Sequence, residues 1–207
     1  MRHVHGTNRC QLIPKGRLTR HLQRMPLPRI TAFTIVWVLG GASLWAQQPK
    51  PTEYQVKAAY LYNFGRFVEW PAKLAASNSH SFAICVLGQD PFGPTLNATL
   101  ADETINGKSV VAKRIPSPDE AVNCRILFIS SSEEGHLKQI LAVLDRESVL
   151  TVSDLPQFSR RGGMVQFVLD EKRVRFEINL TPAEHAGLTL SSELLKLATN
   201  VRRSAGD

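Results

Sequence analysis

After residue 46 the residues best suited to hold a metal or attack a substrate are His80, His136, His185, Cys85 and Cys124. A metal centre needs such ligands clustered at short spacing. These histidines stand far apart, with no His-x-His or His-Glu-x-x-His among them, so no metal site is expected. A nucleophile needs a base and an orienting group beside it. The chain has no Gly-x-Ser-x-Gly, and no catalytic set emerges. The run Gly88-Gln-Asp-Pro-Phe-Gly93 stands where a dinucleotide site would place its glycine loop. It is not Gly-x-Gly-x-x-Gly, and Pro91 removes an amide that a phosphate would use. Arg160-Arg161-Gly162-Gly163 could cradle an anion through backbone amides, but reads better as a solvated basic turn. No cofactor is expected.

The most distinctive stretch is aromatic. Tyr54, Tyr60, Tyr62, Phe64, Phe67 and Trp70 fall within one helical pattern over residues 53–70, which Pro71 ends. Tyr60, Phe64 and Phe67 share a face, whereas Tyr62 and Trp70 point elsewhere. Two readings stand side by side. The extra aromatics pack a second surface within the fold, or they form a partner surface, where exposed Tyr, Trp and Arg are favoured.

These residues must be positioned by alternating strands and helices. Phe82–Leu87 is a continuous apolar run, as in a strand buried on both faces. A helix over residues 92–100 and a strand over 109–114 follow. A short helix over 116–122 precedes a strand over 125–130, and a helix over 133–144 leads to a strand over 149–153. The segments 164–169 and 174–178 form a hairpin around Asp170-Glu171-Lys172. Helices opened by Thr181-Pro182 and by Ser191 or Ser192 close the domain. Such alternation implies a three-layer α/β sandwich: a mainly parallel sheet with a C-terminal antiparallel hairpin and helices on both faces.

Charge bounds the function. The chain of 207 residues has a formal charge of +7. Seven of its 25 Lys and Arg precede residue 47 and none of its 18 Asp and Glu does, so the remainder carries 18 of each sign. A neutral domain lacks the electrostatic footprint of a nucleic-acid binder. The basic residues belong to a leader. An acid-free basic region ends at Arg29, and Ile30–Leu44 is an apolar run of 15 residues with Ala46 at the cleavage position. The run is shorter than the roughly 20 residues that span a bilayer. Residues 1–46 are therefore expected to be a cleaved signal peptide, with Met25 as an alternative start. Residues 47–52 are read as a linker and 199–207 as a tail. Export places Cys85 and Cys124 in an oxidising compartment, where an even pair is a disulfide candidate. Two buried free thiols are the alternative.

The block Tyr54-Gln-Val-Lys-Ala-Ala-Tyr-Leu-Tyr-Asn-Phe-Gly-Arg-Phe-Val-Glu-Trp-Pro71 resembles the opening signature of the YfiR family of periplasmic proteins. Asp90-Pro-Phe92 after the first strand, Gly162-Gly163-Met-Val-Gln-Phe-Val before the hairpin, and Gly187-Leu-Thr-Leu-Ser-Ser-Glu-Leu-Leu-Lys-Leu-Ala198 agree in order. The similarity spans nearly all of residues 53–198. It implies an α/β sandwich, often dimeric, with a bridge at the places of Cys85 and Cys124. It further implies a periplasmic repressor that binds an inner-membrane diguanylate cyclase and holds down cyclic-di-GMP output and biofilm formation. Some members carry a second cysteine pair before the hairpin, and Ser159–Gln166 has none.

Three expectations follow. The chain is a non-enzymatic regulator that captures a membrane signalling protein and forms a homodimer. Tyr62, Arg66 and Trp70 from the first helix, with Glu177 and Asn179 from the last strand, are expected to contribute surface contacts. The alternative function is a periplasmic small-molecule binding protein, with its crevice at the carboxyl ends of the strands near Gln89–Phe92 and Ser130–Ser132.

Overall fold

The unbroken apolar run Phe82–Leu87, within the strand Ser81–Leu87, needs cover on both faces. In the computed structural model, which describes residues 50–72 and 81–203, this strand lies inside the sheet and six of its seven residues are buried. Its side chains alternate between two cores. Phe82, Ile84 and Val86 enter one, while Ala83, Cys85 and Leu87 enter the other. The expected leader, Cys10 and His80 lie outside the described residues.

The chain runs α1 (Glu53–Phe67), β1 (Val68–Glu69), β2 (Ser81–Leu87), α2 (Pro94–Leu100), β3 (Thr104–Ile105) and β4 (Lys108–Ile115). A 3₁₀ turn, Pro118–Asn123, precedes β5 (Ile126–Ile129). A second, Ser131–His136, runs into α3 (Leu137–Val143). There follow β6 (Leu150–Ser153), β7 (Val165–Asp170), β8 (Arg173–Asn179), α4 (Leu180–His185), β9 (Thr189–Leu190), α5 (Ser192–Leu197) and β10 (Asn200–Arg202).

Among the described residues the main sheet has eight strands in the order β10-β8-β7-β6-β5-β2-β4-β3, and β1 with β9 forms a separate two-stranded ribbon. The contacts β4-β2-β5-β6-β7 and β10-β8 are parallel, and β7-β8 and β3-β4 are antiparallel. One face is covered by α1, α2 and α5, whose Leu61, Phe64, Leu96 and Leu194 pack on Ile84, Phe128 and Phe176. The other is covered by the 3₁₀ turns, α3 and the loop of residues 155–163, through Ala121, Leu137, Ile140 and Phe158. This is the three-layer α/β sandwich that the alternation of elements implies.

The differences from the sequence reading have tertiary causes. The first helix ends at Phe67 because Val68 and Glu69 turn extended to pair with Leu190 and Thr189. Trp70 therefore stands beyond the helix. The element expected over 133–144 is a 3₁₀ turn followed by a helix of seven residues, with Gly135 in the turn. Pro182 sits two residues past the start of α4, not at its first position. The strand β10 lies in the stretch read as a tail, and β3 and β9, each of two residues, are too short to leave a periodic signal.

Candidate functional site

The start of α1 is fixed by a capping box. The Gln55 amide donates to Thr52 Oγ1 at 3.3 Å, and the Thr52 amide donates to Gln55 Oε1 at 2.7 Å. The helix then buries the stripe Lys57, Leu61 and Phe64 at spacings of four and three, which Val68 of β1 continues. A lysine in that stripe is the anomaly. Lys57 is 2 % exposed and the bulkiest of the fully buried side chains. An unpaired buried ammonium would be severely destabilising. Here Nζ lies 2.6 Å from Asp154 Oδ2 and 2.5 Å from Glu53 Oε1, and 4.4 Å from the centre of the Tyr54 ring. The Tyr54 hydroxyl donates to the same Asp154 oxygen at 3.2 Å.

Asp154 directly follows β6, so the cluster stands at the carboxyl end of that parallel strand. Burial works to lower the Lys57 pKa, but the hydrogen bonds to Asp154 and Glu53 outweigh it and hold the group above its ordinary value. Burial first, and then the Asp154 carboxylate, raise the Tyr54 phenol. The two carboxylates thus favour the charged form of Lys57. One ammonium against two carboxylates leaves the group net negative. Beside it opens a cleft of about 310 Å³ lined by Lys57, Glu53, Asp154 and Gln166–Leu169. A second, open depression of about 350 Å³, lined by Gln55, Pro94, Thr95, Ala98 and Thr99, holds no charged group.

The residues singled out from sequence fall into two groups on opposite faces of the sheet. Tyr62 and Arg66 lie together, the guanidinium 6.0 Å from the ring centre, and the Tyr62 hydroxyl is hydrogen-bonded to Glu103. Arg66 is exposed. Trp70 packs edge-on against Phe82 with ring centres 5.2 Å apart. Glu177 and Asn179 point away from Phe176 and Ile178, whose side chains meet α1. Glu177 accepts from Ser159 Oγ at 3.2 Å, and Asn179 donates to the Ser159 carbonyl at 2.9 Å. Asn179 is 3 % exposed, so its expected place on the surface is corrected: the loop of residues 155–163 covers it. The five do not form one patch.

Cys85 in β2 and Cys124 just before β5 are joined by a disulfide, with Cα atoms 6.0 Å apart and both side chains buried. Two of the loops considered for a small-molecule crevice touch each other. The Gln89 amide donates to Ser132 Oγ at 2.9 Å, and Ser132 and Glu133 occupy the space where a Cβ on Gly88 would sit.

These features sit within a recognisable sequence unit. The profile of the YfiR/HmsC-like family (DUF4154) matches residues 54–199, from Tyr54 of the charged cluster to the residue before β10. The chain belongs to this family. A search of curated proteins gives no match. Among solved structures, a conserved domain protein from Vibrio cholerae O1 biovar eltor aligns with a TM-score of 0.51 at 11 % identity, over 72 % of this chain and 60 % of that one. An ABC domain from Streptococcus pneumonia in complex with L-Trp aligns at 0.45 and 12 %, over 69 % and 60 %. The first likeness is one of fold and the second is too loose to carry an argument. The chain spans about 60 % of the length of each. YfiR/HmsC-like proteins are regulators rather than catalysts. Among the described residues no helix is long and apolar enough to cross a membrane.

Proposed function

We propose that this YfiR/HmsC-like protein is a non-enzymatic periplasmic regulator that binds the periplasmic part of an inner-membrane diguanylate cyclase and represses it. The family match over residues 54–199 carries this reading. The signal-peptide pattern of residues 1–46 and the neutral charge of the rest support it. Repression is then a population shift, in which the regulator binds the inactive state of its partner more tightly than the active one. A regulator that held its target 99:1 in the inactive state, starting from 1:99, would need a differential affinity of about 10⁴-fold.

The test is cellular cyclic-di-GMP in a deletion strain, beside the parent and a complemented strain. A rise on deletion is expected, reversed by the protein carrying its leader and not by a leaderless version. An unchanged level would sink the proposal.

A further inference from the structure

Strand β7 outruns the strand beside it. β6 ends at Ser153, which pairs with Gln166, yet β7 continues to Asp170 with every residue paired to β8. The Asn179 amide donates to the Met164 carbonyl at 2.7 Å, which fixes the phase of the antiparallel ladder. Gln166, Val168 and Asp170 therefore exchange hydrogen bonds with β8, while Val165, Phe167 and Leu169 turn their N–H and C=O groups the other way. Val165 faces β6. The Ser153–Gln166 pairing also places the Phe167 amide on the Ser153 carbonyl, so the groups that face the cleft of about 310 Å³, where no strand lies among the described residues, are the Phe167 carbonyl and both main-chain groups of Leu169. The result is a notch inside the sheet, bounded along one side by one main-chain donor, Leu169 N–H, and two acceptors, the Phe167 and Leu169 carbonyls.

Its chemistry selects an occupant. The open edge of residues 167–170 spans about 13 Å at 3.3 Å per residue, room for a short extended segment. Leu169, on the same side of the sheet as the buried Phe167, is 60 % exposed and offers an apolar contact. The end nearest α1 is acidic, with Glu53 40 % and Asp154 17 % exposed over the shielded Lys57.

We infer that the notch takes an extended peptide segment of the partner protein as an added β-strand beside Phe167–Leu169, with a Lys or Arg side chain directed at Glu53 and Asp154. Main-chain hydrogen bonds supply the affinity and the acidic end supplies the preference. The inference rests on the regulator reading, since it names how that partner is held.

Two experiments separate the claims. The first adds an acetylated six-residue peptide of alternating valine and threonine, led by arginine, to the ¹⁵N-labelled protein. Hydrogen exchange at the Leu169 amide should slow by at least about tenfold, with Phe167 and Val168 unaffected because they already bond to β6 and β8. A peptide led by glutamate should bind about tenfold more weakly, which corresponds to ~1.4 kcal/mol. Unchanged exchange at the Leu169 amide under saturating peptide would overturn the inference. The second uses cyclic-di-GMP in cells. Leu169→Pro removes the outward amide without touching a β8 bond, and Leu169→Lys places a charge on the open edge as natural edge strands do. The lysine variant guards against a proline variant that fails to fold. Both should reproduce the deletion phenotype. If both behave as the parent while the deletion raises cyclic-di-GMP, the notch is not the docking site and the regulator reading stands. If the deletion itself has no effect, the regulator reading falls and the peptide result alone decides what the edge binds.

Discussion

Lys57 and Asp154, 97 positions apart in the chain, meet at 2.6 Å and tie the first turns of α1 to the end of β6. Because Glu53 shares the same ammonium, the helix start, the strand end and the mouth of the notch depend on one buried charge.

Lys57→Met should destabilise the fold by about 1–3 kcal/mol, less than a fully enclosed pair because Asp154 and Glu53 keep some contact with water. Urea unfolding of the single variants and of Lys57→Met with Asp154→Asn would measure the coupling. Additive losses would show that the pair contributes nothing of its own. The pH dependence has a definite sign. A lysine whose folded pKa is raised contributes stability that is complete below the unfolded value, about 10.4, and is lost as pH climbs through the folded value. The parent should therefore lose this contribution only in alkali, and Lys57→Met should show no such loss.

The disulfide closes a loop with a sequence separation of 39, for which the chain-entropy estimate is about 4 kcal/mol. Replacing Cys85 and Cys124 together by alanine should lower the unfolding free energy by roughly 2–4 kcal/mol, seen as a lower urea midpoint, and steepen the slope, since the unfolded chain expands. Both sulfurs are buried, so dithiothreitol should reduce the bridge of the native protein only at the rate of local unfolding. Rapid reduction under native conditions would contradict this.

Gly65→Ala should reverse the usual ranking. Alanine in place of a mid-helix glycine ordinarily adds roughly 0.5–1 kcal/mol. Here a Cβ would come within 2.5 Å of Ile105 Cδ1 and 3.0 Å of Phe82 Cζ, between α1 and the sheet. Overpacking of this kind costs about 1–3 kcal/mol, so the thermal midpoint should fall. A rise would mean that Ile105 yields freely.

The β7-β8 loop is a two-residue turn in which Glu171 and Lys172 have φ of 45° and 61°. Asn-Gly suits such a primed turn, and Glu171→Asn with Lys172→Gly should stabilise the protein by about 1 kcal/mol, read from the urea midpoint. No gain would show that the turn is held by the hairpin regardless of its residues.

Much of the scaffold is legible in the sequence because its signals are local. The apolar run Phe82–Leu87 announces a buried strand, Thr52 announces the start of α1, and Ser191 caps the last helix through the Leu194 amide at 3.2 Å. The opening aromatic block points to the family, and the family to the bridge. What could not be read locally depends on partners distant in the chain. Nothing near Lys57 names Asp154, although a lysine in register with Leu61 and Phe64 is itself a sign that a carboxylate must be waiting. Glu177 and Asn179 alternate correctly away from one core, but in a three-layer fold that direction leads to a second covered face. The notch was invisible because it arises from unequal strand lengths, Ser153 against Asp170, which no periodicity records.

Trp70 is the one tryptophan within residues 47–207. Its indole N–H is buried with no hydrogen-bond partner among the described residues, and its ring stands against Phe82 where β2 begins. The half-buried ring, with its N–H out of water, should emit to the blue of free tryptophan. Opening of the seam between the end of α1 and the central strand would admit solvent and redden the emission. Within residues 47–207 the protein therefore carries a single tryptophan reporter, placed at that seam, and opening of the seam can be followed there without a label.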